Sequence, residues 1–415
     1  MERRSIDKIS SIIDLKSEEI INFTKSMVNE LSENPPGDET AVAGLIKNQA
    51  MKWSLPEPKI WSKKDNRPNL IFIIEGNNGG KTLIFNGHMD TKPIGDASKW
   101  SVDPYNPSIK NGKLYGRGST DMKSGIAGIL AAAMSILNSN ISFKGNIILA
   151  ITADEECGSA YGARVLVEKG LKGDVVLIAE PSGMKKDFDS LGVACRGALL
   201  GKIVVHGTQM HSSISDKGGC INPSVKMAKV IVEFSENLKK YLNYKPHYLY
   251  PNGPTINPGV TLGGGISYGV IPGDVNFGFD IRIIPGMSIK TLVRDIEKFL
   301  KKLSDEDADL KAEMVLEEPP LDNLPPAEIK RDHPLVLSCI SATKEITRIE
   351  PNLLGVPFST DAIYLANQLN IPTISSFGPG LIKLAHAPDE YVEVKAIIDS
   401  AKIFTLSALE YLNKY

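Results

Sequence analysis

Apolar residues recur at helical spacing over residues 18–31, where Ile20, Ile21, Phe23, Met27, Val28 and Leu31 form a stripe that stops before Asn34, Pro35, Pro36 and Gly37. This predicts an amphipathic helix with a firm end. Short apolar runs follow at 70–74, 82–85, 146–152 and 175–179, and helical stretches at 124–137 and 160–168 are interleaved with them. Alternation of this kind predicts an α/β sheet flanked by helices. In such sheets ligands collect where strands end and loops begin.

From about Gly192 the texture changes. A strand-like run at 199–205 is followed by a helix over 223–241, strands around Thr261 and over 275–283, and a helix over 289–303. That last helix places Leu292, Val293, Ile296, Phe299, Leu300 and Leu303 on one face. The Pro-rich segment 318–326 reads as an exit linker, after which the α/β pattern resumes over 334–412. The expected organisation is one domain in two segments, 1–192 and 321–415, interrupted by a smaller domain over 193–320. No internal repeat is visible.

A length of 415 residues suits two domains, each large enough for its own core. The net charge of −2 argues against nucleic acid as the main partner, since phosphate-binding surfaces concentrate basic residues. The first ten residues carry Arg3 and Arg4 and then a mixed polar segment, unlike a secretory signal, and no stretch is expected to span a bilayer. Cys157, Cys195, Cys220 and Cys339 have no paired spacing, so neither disulfides nor a thiolate zinc site is expected, and a cytoplasmic setting follows.

Five short segments place metal-binding residue types at the ends of expected strands. In Gly87-His88-Met89-Asp90, residues two apart on an extended chain share a face, so Asp90 can orient the ring of His88. Alone, this pattern is more commonly that of a structural histidine beside a solvated aspartate. In Gly116-Arg117-Gly118-Ser119-Thr120-Asp121, the carboxylate of a glycine-rich loop can bridge two metals, or simply cap the helix that follows. Asp154-Glu155-Glu156 sets three carboxylates side by side, a repulsion that a nearby cation would relieve. One glutamate can then ligate while its neighbour serves as a general base. Glu180 follows another buried run, and His386 lies in Ala385-His386-Ala387-Pro388-Asp389-Glu390. Two histidines and three carboxylates, one able to bridge, suffice for two open zinc sites, with cobalt or manganese as possible substitutes.

Together these segments resemble the co-catalytic zinc metallopeptidases that include aminoacylase, acetylornithine deacetylase, succinyl-diaminopimelate desuccinylase and glutamate carboxypeptidase. The resemblance runs from the N-terminal helix to the last helix. It implies a zinc-peptidase-like mixed sheet flanked by helices, with an inserted α+β, ferredoxin-like lid and dimerisation domain. By motif it implies His88 and Glu180 on one zinc, Glu156 and His386 on the other, and Asp121 between them. Glu155 is then the general base for a metal-bridging water, and Asp90 orients His88. Gly207-Thr208-Gln209-Met210-His211-Ser212 is similar to the family's lid segment, which makes His211 the oxyanion-stabilising residue, often across a dimer interface. Phe279-Asp280-Ile281-Arg282 matches the segment whose arginine grips a substrate carboxylate, although a surface ion pair is the plainer alternative for Arg282. Gly269 stands where relatives commonly have asparagine, which removes one polar contact to substrate.

The implied function is metal-dependent hydrolysis of an N-acyl amino acid, in the manner of acetylornithine deacetylase or succinyl-diaminopimelate desuccinylase. Glutamate at position 180, where dipeptidases and aminopeptidases tend to have aspartate, favours the deacylases and carboxypeptidases of the family. A carboxypeptidase or dipeptidase on the same scaffold is the alternative enzyme. A metal-free binding or scaffold relative is the alternative from another class. The expected partners are a small N-acyl amino acid or short peptide and a second copy of the chain, with neither nucleic acid nor membrane.

Overall fold

The apolar runs become adjacent strands of one sheet, because each buries both faces between helices. In the computed structural model, which describes residues 3–317 and 323–415, this six-stranded sheet has the order Lys59–Trp61, Asn69–Glu75, Lys144–Thr152, Asn77–His88, Val175–Ile178, Thr373–Ile374. Asn69–Glu75 pairs antiparallel with both of its neighbours, and the remaining pairings are parallel. The expected mixed α/β sheet is therefore present. The chain leaves the central strand Asn77–His88, returns on one side as Lys144–Thr152, then crosses to the other side as Val175–Ile178. In open α/β sheets such a reversal is where ligands bind, at the carboxyl ends of the parallel strands.

The helix Ser124–Ser139 covers one face and packs against Val394–Lys414. Their crossing is close: a Cβ on Gly128 would stand 2.2 Å from the Ser400 hydroxyl. Although no membrane-spanning stretch is expected, Ser119–Ser139 is long and apolar enough by composition. Of that window 94% is buried in the protein, so its apolarity is that of a core helix, required by contact on all sides.

These elements belong to the first of two compact units, Met1–Cys195 with Ala327–Val356 and Thr360–Tyr415; the second is Arg196–Pro326 with Pro357–Ser359. The second unit runs strand, helix, strand, strand, helix, strand: Gly197–His206, Pro223–Glu236, Thr255–Gly264, Asp274–Ile283, Ile289–Glu306 and Lys311–Leu316. Its antiparallel sheet has the order Thr255–Gly264, Asp274–Ile283, Gly197–His206, Lys311–Leu316, a ferredoxin-like arrangement. Phe234 is fully buried there, with the rings of Phe277, Phe279 and Phe299 at 5.8, 5.5 and 6.3 Å.

Several elements differ from expectation. The polar-looking N-terminus is a helix, Arg3–Leu15, because Ile9 and Ile13 are four apart and both are fully buried. A second helix at Thr40–Lys52 buries Val42, Ala43, Ile46 and Ala50. The expected helix over 160–168 is shortened to Ala163–Glu168. The expected linker falls partly on 318–322, as does the expected boundary after residue 320, and both lie there outside the described residues.

Candidate metal centre

The carboxyl ends of three parallel strands supply most of the site. His88 ends the central strand, Glu155 and Glu156 form a single turn of 3-10 helix after Lys144–Thr152, and Glu180 follows Val175–Ile178. Asp121 comes from the loop that precedes Ser124–Ser139. There Gly118 adopts φ +84°, and a Cβ on Gly125 would stand 2.1 Å from the Ala179 carbonyl oxygen. Only glycine permits that approach, and it draws the Asp121 loop towards Glu180. His386, itself at φ +63°, arrives from the loop after Gly378–Leu381.

These groups meet in two overlapping clusters. His88, Asp121 and Glu180 form one, and Asp121, Glu156 and His386 the other, with the ligand atoms of each within 4.8 Å of one another. The Nε2 of His88 lies 3.1 Å from Oδ1 of Asp121 and 3.2 Å from Glu180. The Nε2 of His386 lies 3.2 Å from Oδ2 of Asp121 and 3.1 Å from Glu156. Asp121 thus turns one oxygen to each histidine. All are buried except His386, whose side chain is 48% exposed and leaves the site open on that side.

The electrostatics of this cluster are conflicted. Burial, then Asp121, push the Glu180 carboxyl up to about 8. Burial pulls His88 and His386 down, but their carboxylate neighbours outweigh it, so His88 is raised well above its ordinary value and His386 to about 10. Burial raises Asp121, yet hydrogen bonds from His386 and His88 hold it below the usual carboxylate range. Three carboxylates and two imidazoles packed together need positive charge to be fully ionised and ligating. Two divalent ions would supply it, and a mixed nitrogen and oxygen donor set of this size fits them.

Glu155 is partly accessible, and its carboxylate has no hydrogen-bond partner among the described residues. Burial, with Glu180, Asp361 and Glu156 adding to it against His88, pushes it well up. The Nδ1 of His88 is 2.9 Å from the main-chain carbonyl of Asp90 and 3.5 Å from its carboxylate. The carboxylate also accepts from the amides of Glu155 and Glu156, each at 3.1 Å, and from Asn34 at 2.8 Å. The repulsion expected among Asp154, Glu155 and Glu156 is relieved partly by Arg67. Asp154, at φ +63°, turns away to meet Arg67 at 2.7 Å, Asn34 at 2.8 Å and the Tyr161 amide at 2.9 Å.

Asn34, Arg67 and Asp361 carried no role in the sequence reading. Asn34 reads as a helix stop and Arg67 as one charge among several, so only tertiary contact reveals them. Asp361 is buried, bonded to Ser159 and Thr152 at 2.5 and 3.2 Å, and pushed up to about 6 chiefly by burial.

The remaining residues singled out in the sequence lie in the second unit. His211 is exposed, and its Nδ1 accepts from the amide and hydroxyl of Ser213 at 3.1 and 2.8 Å. It pairs with Val270, next to Gly269, whose φ of +87° lies in a region that asparagine also tolerates. Arg282 forms a two-point pair with Asp280, at 2.8 and 2.9 Å, and reaches the Ser359 hydroxyl at 3.4 Å. His206 pairs with Asp274 and Glu313 on an exposed face.

Known proteins resemble this chain in sequence and in fold. The profile of Peptidase family M20/M25/M40 matches residues 84–410. An uncharacterized metallohydrolase of Methanocaldococcus jannaschii is 28% identical over 411 residues, 93% of this chain and 98% of that protein. A succinyl-diaminopimelate desuccinylase of Ruegeria is 38% identical over 173 residues, 41% of this chain and 43% of that protein. The M20 family metallo-carboxypeptidase of Sulfolobus solfataricus superposes with a TM-score of 0.75 at 21% identity, covering 94% of this chain and 99% of that one.

Two of the raised groups, Glu180 and His386, give a signed pH dependence for metal-stripped protein. Each stabilises the fold fully below its ordinary value, 4.5 for Glu180 and 6.5 for His386, and that contribution is lost as pH rises through about 8 and about 10. The melting temperature of stripped protein should therefore fall as pH rises from about 6.5, and added Zn2+ should abolish the fall. A flat or rising curve for stripped protein would contradict the charge arrangement described here.

Proposed function

Because this chain belongs to peptidase family M20/M25/M40, we propose that it is a two-metal amidohydrolase that removes the acyl group from an N-acyl amino acid. The observation that carries this reading is Asp121 set between two histidine and glutamate clusters. His88 and Glu180 would hold one ion, Glu156 and His386 the other, with Asp121 shared; zinc is our first choice. Bound there, the ions would polarise the scissile carbonyl and acidify a water. Glu155 stands free beside the cluster with its carboxyl pushed upward, the direction that suits a general base. It takes the proton of the attacking water and delivers it to the leaving amine. Asp90 holds the amides of Glu155 and Glu156 and so keeps base and ligand in fixed relation.

We assign His211 to oxyanion stabilisation and Arg282 to the substrate carboxylate, where it would trade part of its pairing with Asp280 for the ligand. Glu180 favours deacylases and carboxypeptidases over dipeptidases, and likeness to a protein named as a desuccinylase favours the acyl-amino-acid class. The four free cysteines suit the cytoplasm. A homodimer through the second unit is part of the proposal, since Val260 and Leu262 are exposed on its edge strand Thr255–Gly264.

Assays on N-acetyl, N-succinyl and N-formyl amino acids and on dipeptides, with Zn2+ or Co2+ added, test the reaction. Acylated amino acids should be cleaved, and turnover of dipeptides alone would replace the acyl class with a peptidase. Glu155→Gln should keep its metal and lose about 10²–10⁴ in kcat. Arg282→Ala should act mainly on KM and His211→Ala mainly on kcat; an unimpaired Glu155→Gln enzyme would remove the base. In sedimentation the wild type should run at twice its 45.1 kDa chain mass, and a monomer would refute the dimer.

A further inference from the structure

Two buried charged residues outside the donor set connect the loops that carry Asp121 and His386. Arg117 is 4% exposed and Glu390 fully buried. One oxygen of Glu390 accepts from the amides of Thr120 and Asp121, at 2.8 and 3.0 Å. Its other oxygen meets Nη1 of Arg117 at 2.5 Å. The second guanidinium nitrogen of Arg117 donates to the His386 carbonyl at 3.2 Å, while the group rests 5.2 Å from the Trp100 ring. The flanking chain reinforces this tie. Tyr115 pairs with Tyr391 across antiparallel strands, and the Gly116 amide donates to the Glu390 carbonyl at 3.0 Å.

We propose that Arg117 and Glu390 are positioning residues for the metal centre: a buried ion pair that fixes the Asp121 backbone and the His386 loop relative to each other. The inference rests on the two-metal reading above. Asp121 is the group shared by both clusters, so a displacement of its main chain is felt at both. A carboxylate that grips the amide of a ligand residue acts on the ligand more directly than ordinary packing does. The pair also joins positions about 270 residues apart in sequence, 269 between Asp121 and Glu390, which local conformation alone cannot hold in register.

Glu390→Gln and Arg117→Lys separate this role from plain stability. The glutamine keeps an oxygen for the two amides but turns an NH2 group towards Arg117, donor against donor. The lysine keeps the charge but cannot serve both loops. Stripped wild type and variants are titrated with Co2+, followed by visible absorption, and with Zn2+ in competition with a chelating dye; the melting temperature of stripped protein is measured alongside. Wild type should bind two ions. Each variant should bind both ions about 10–100-fold more weakly, with an altered Co2+ spectrum. Unchanged affinity and spectrum in a folded variant, even with a lowered melting temperature, would overturn the inference and leave the pair a structural one. If Glu390→Gln does not fold, Arg117→Lys decides by the same two readouts. Failure of the wild type to bind Co2+ or Zn2+ would overturn the metal centre itself, and this inference with it.

Discussion

Mutual repulsion among buried carboxylates is the constraint on which the rest depends. Asp121, Glu156 and Glu180 lie against His88 and His386 in two clusters whose ligand atoms are within 4.8 Å of one another, and burial there raises Glu180 to about 8. Without compensating charge such a group protonates or pulls protons onto its histidines. Placing two divalent ions in it converts the conflict into coordination. The same ions would then suit Glu155 to its proposed role as the base.

The sheet explains why these groups can be held so close. Parallel strands all point their carboxyl ends to one edge, and the reversal around Asn77–His88 leaves that edge uncovered. Rigid strand ends deliver His88, the turn after Thr152, and Glu180. Glycines then let the Asp121 loop approach the Ala179 backbone. Around them, Asp90, Asn34, Arg67, Asp154, Arg117 and Glu390 are paired among themselves or with main-chain amides, so the donor groups are fixed by neighbours that are themselves buried.

Much of the fold was legible because its strands are continuous apolar runs and its long helices carry regular stripes. Helix Arg3–Leu15 was not legible, since only Ile9 and Ile13 face inward and the rest of it is largely polar. The residues at strand ends stood out because polar side chains interrupt buried runs there. Arg117 and Glu390 sit inside quoted motifs, yet nothing in either motif says that they touch, and Arg67 has no motif at all. Asp90 shows a finer limit. Strand periodicity places it on the side of His88, but only the turn after Thr152 shows that its carboxylate is occupied by amides.

Anomalous diffraction from crystals of the metal-loaded enzyme tests the central claim most directly. Two ions should appear, one touching His88 and the other His386, with Asp121 between them. A single ion elsewhere, or density at neither cluster with metal in excess, would contradict it.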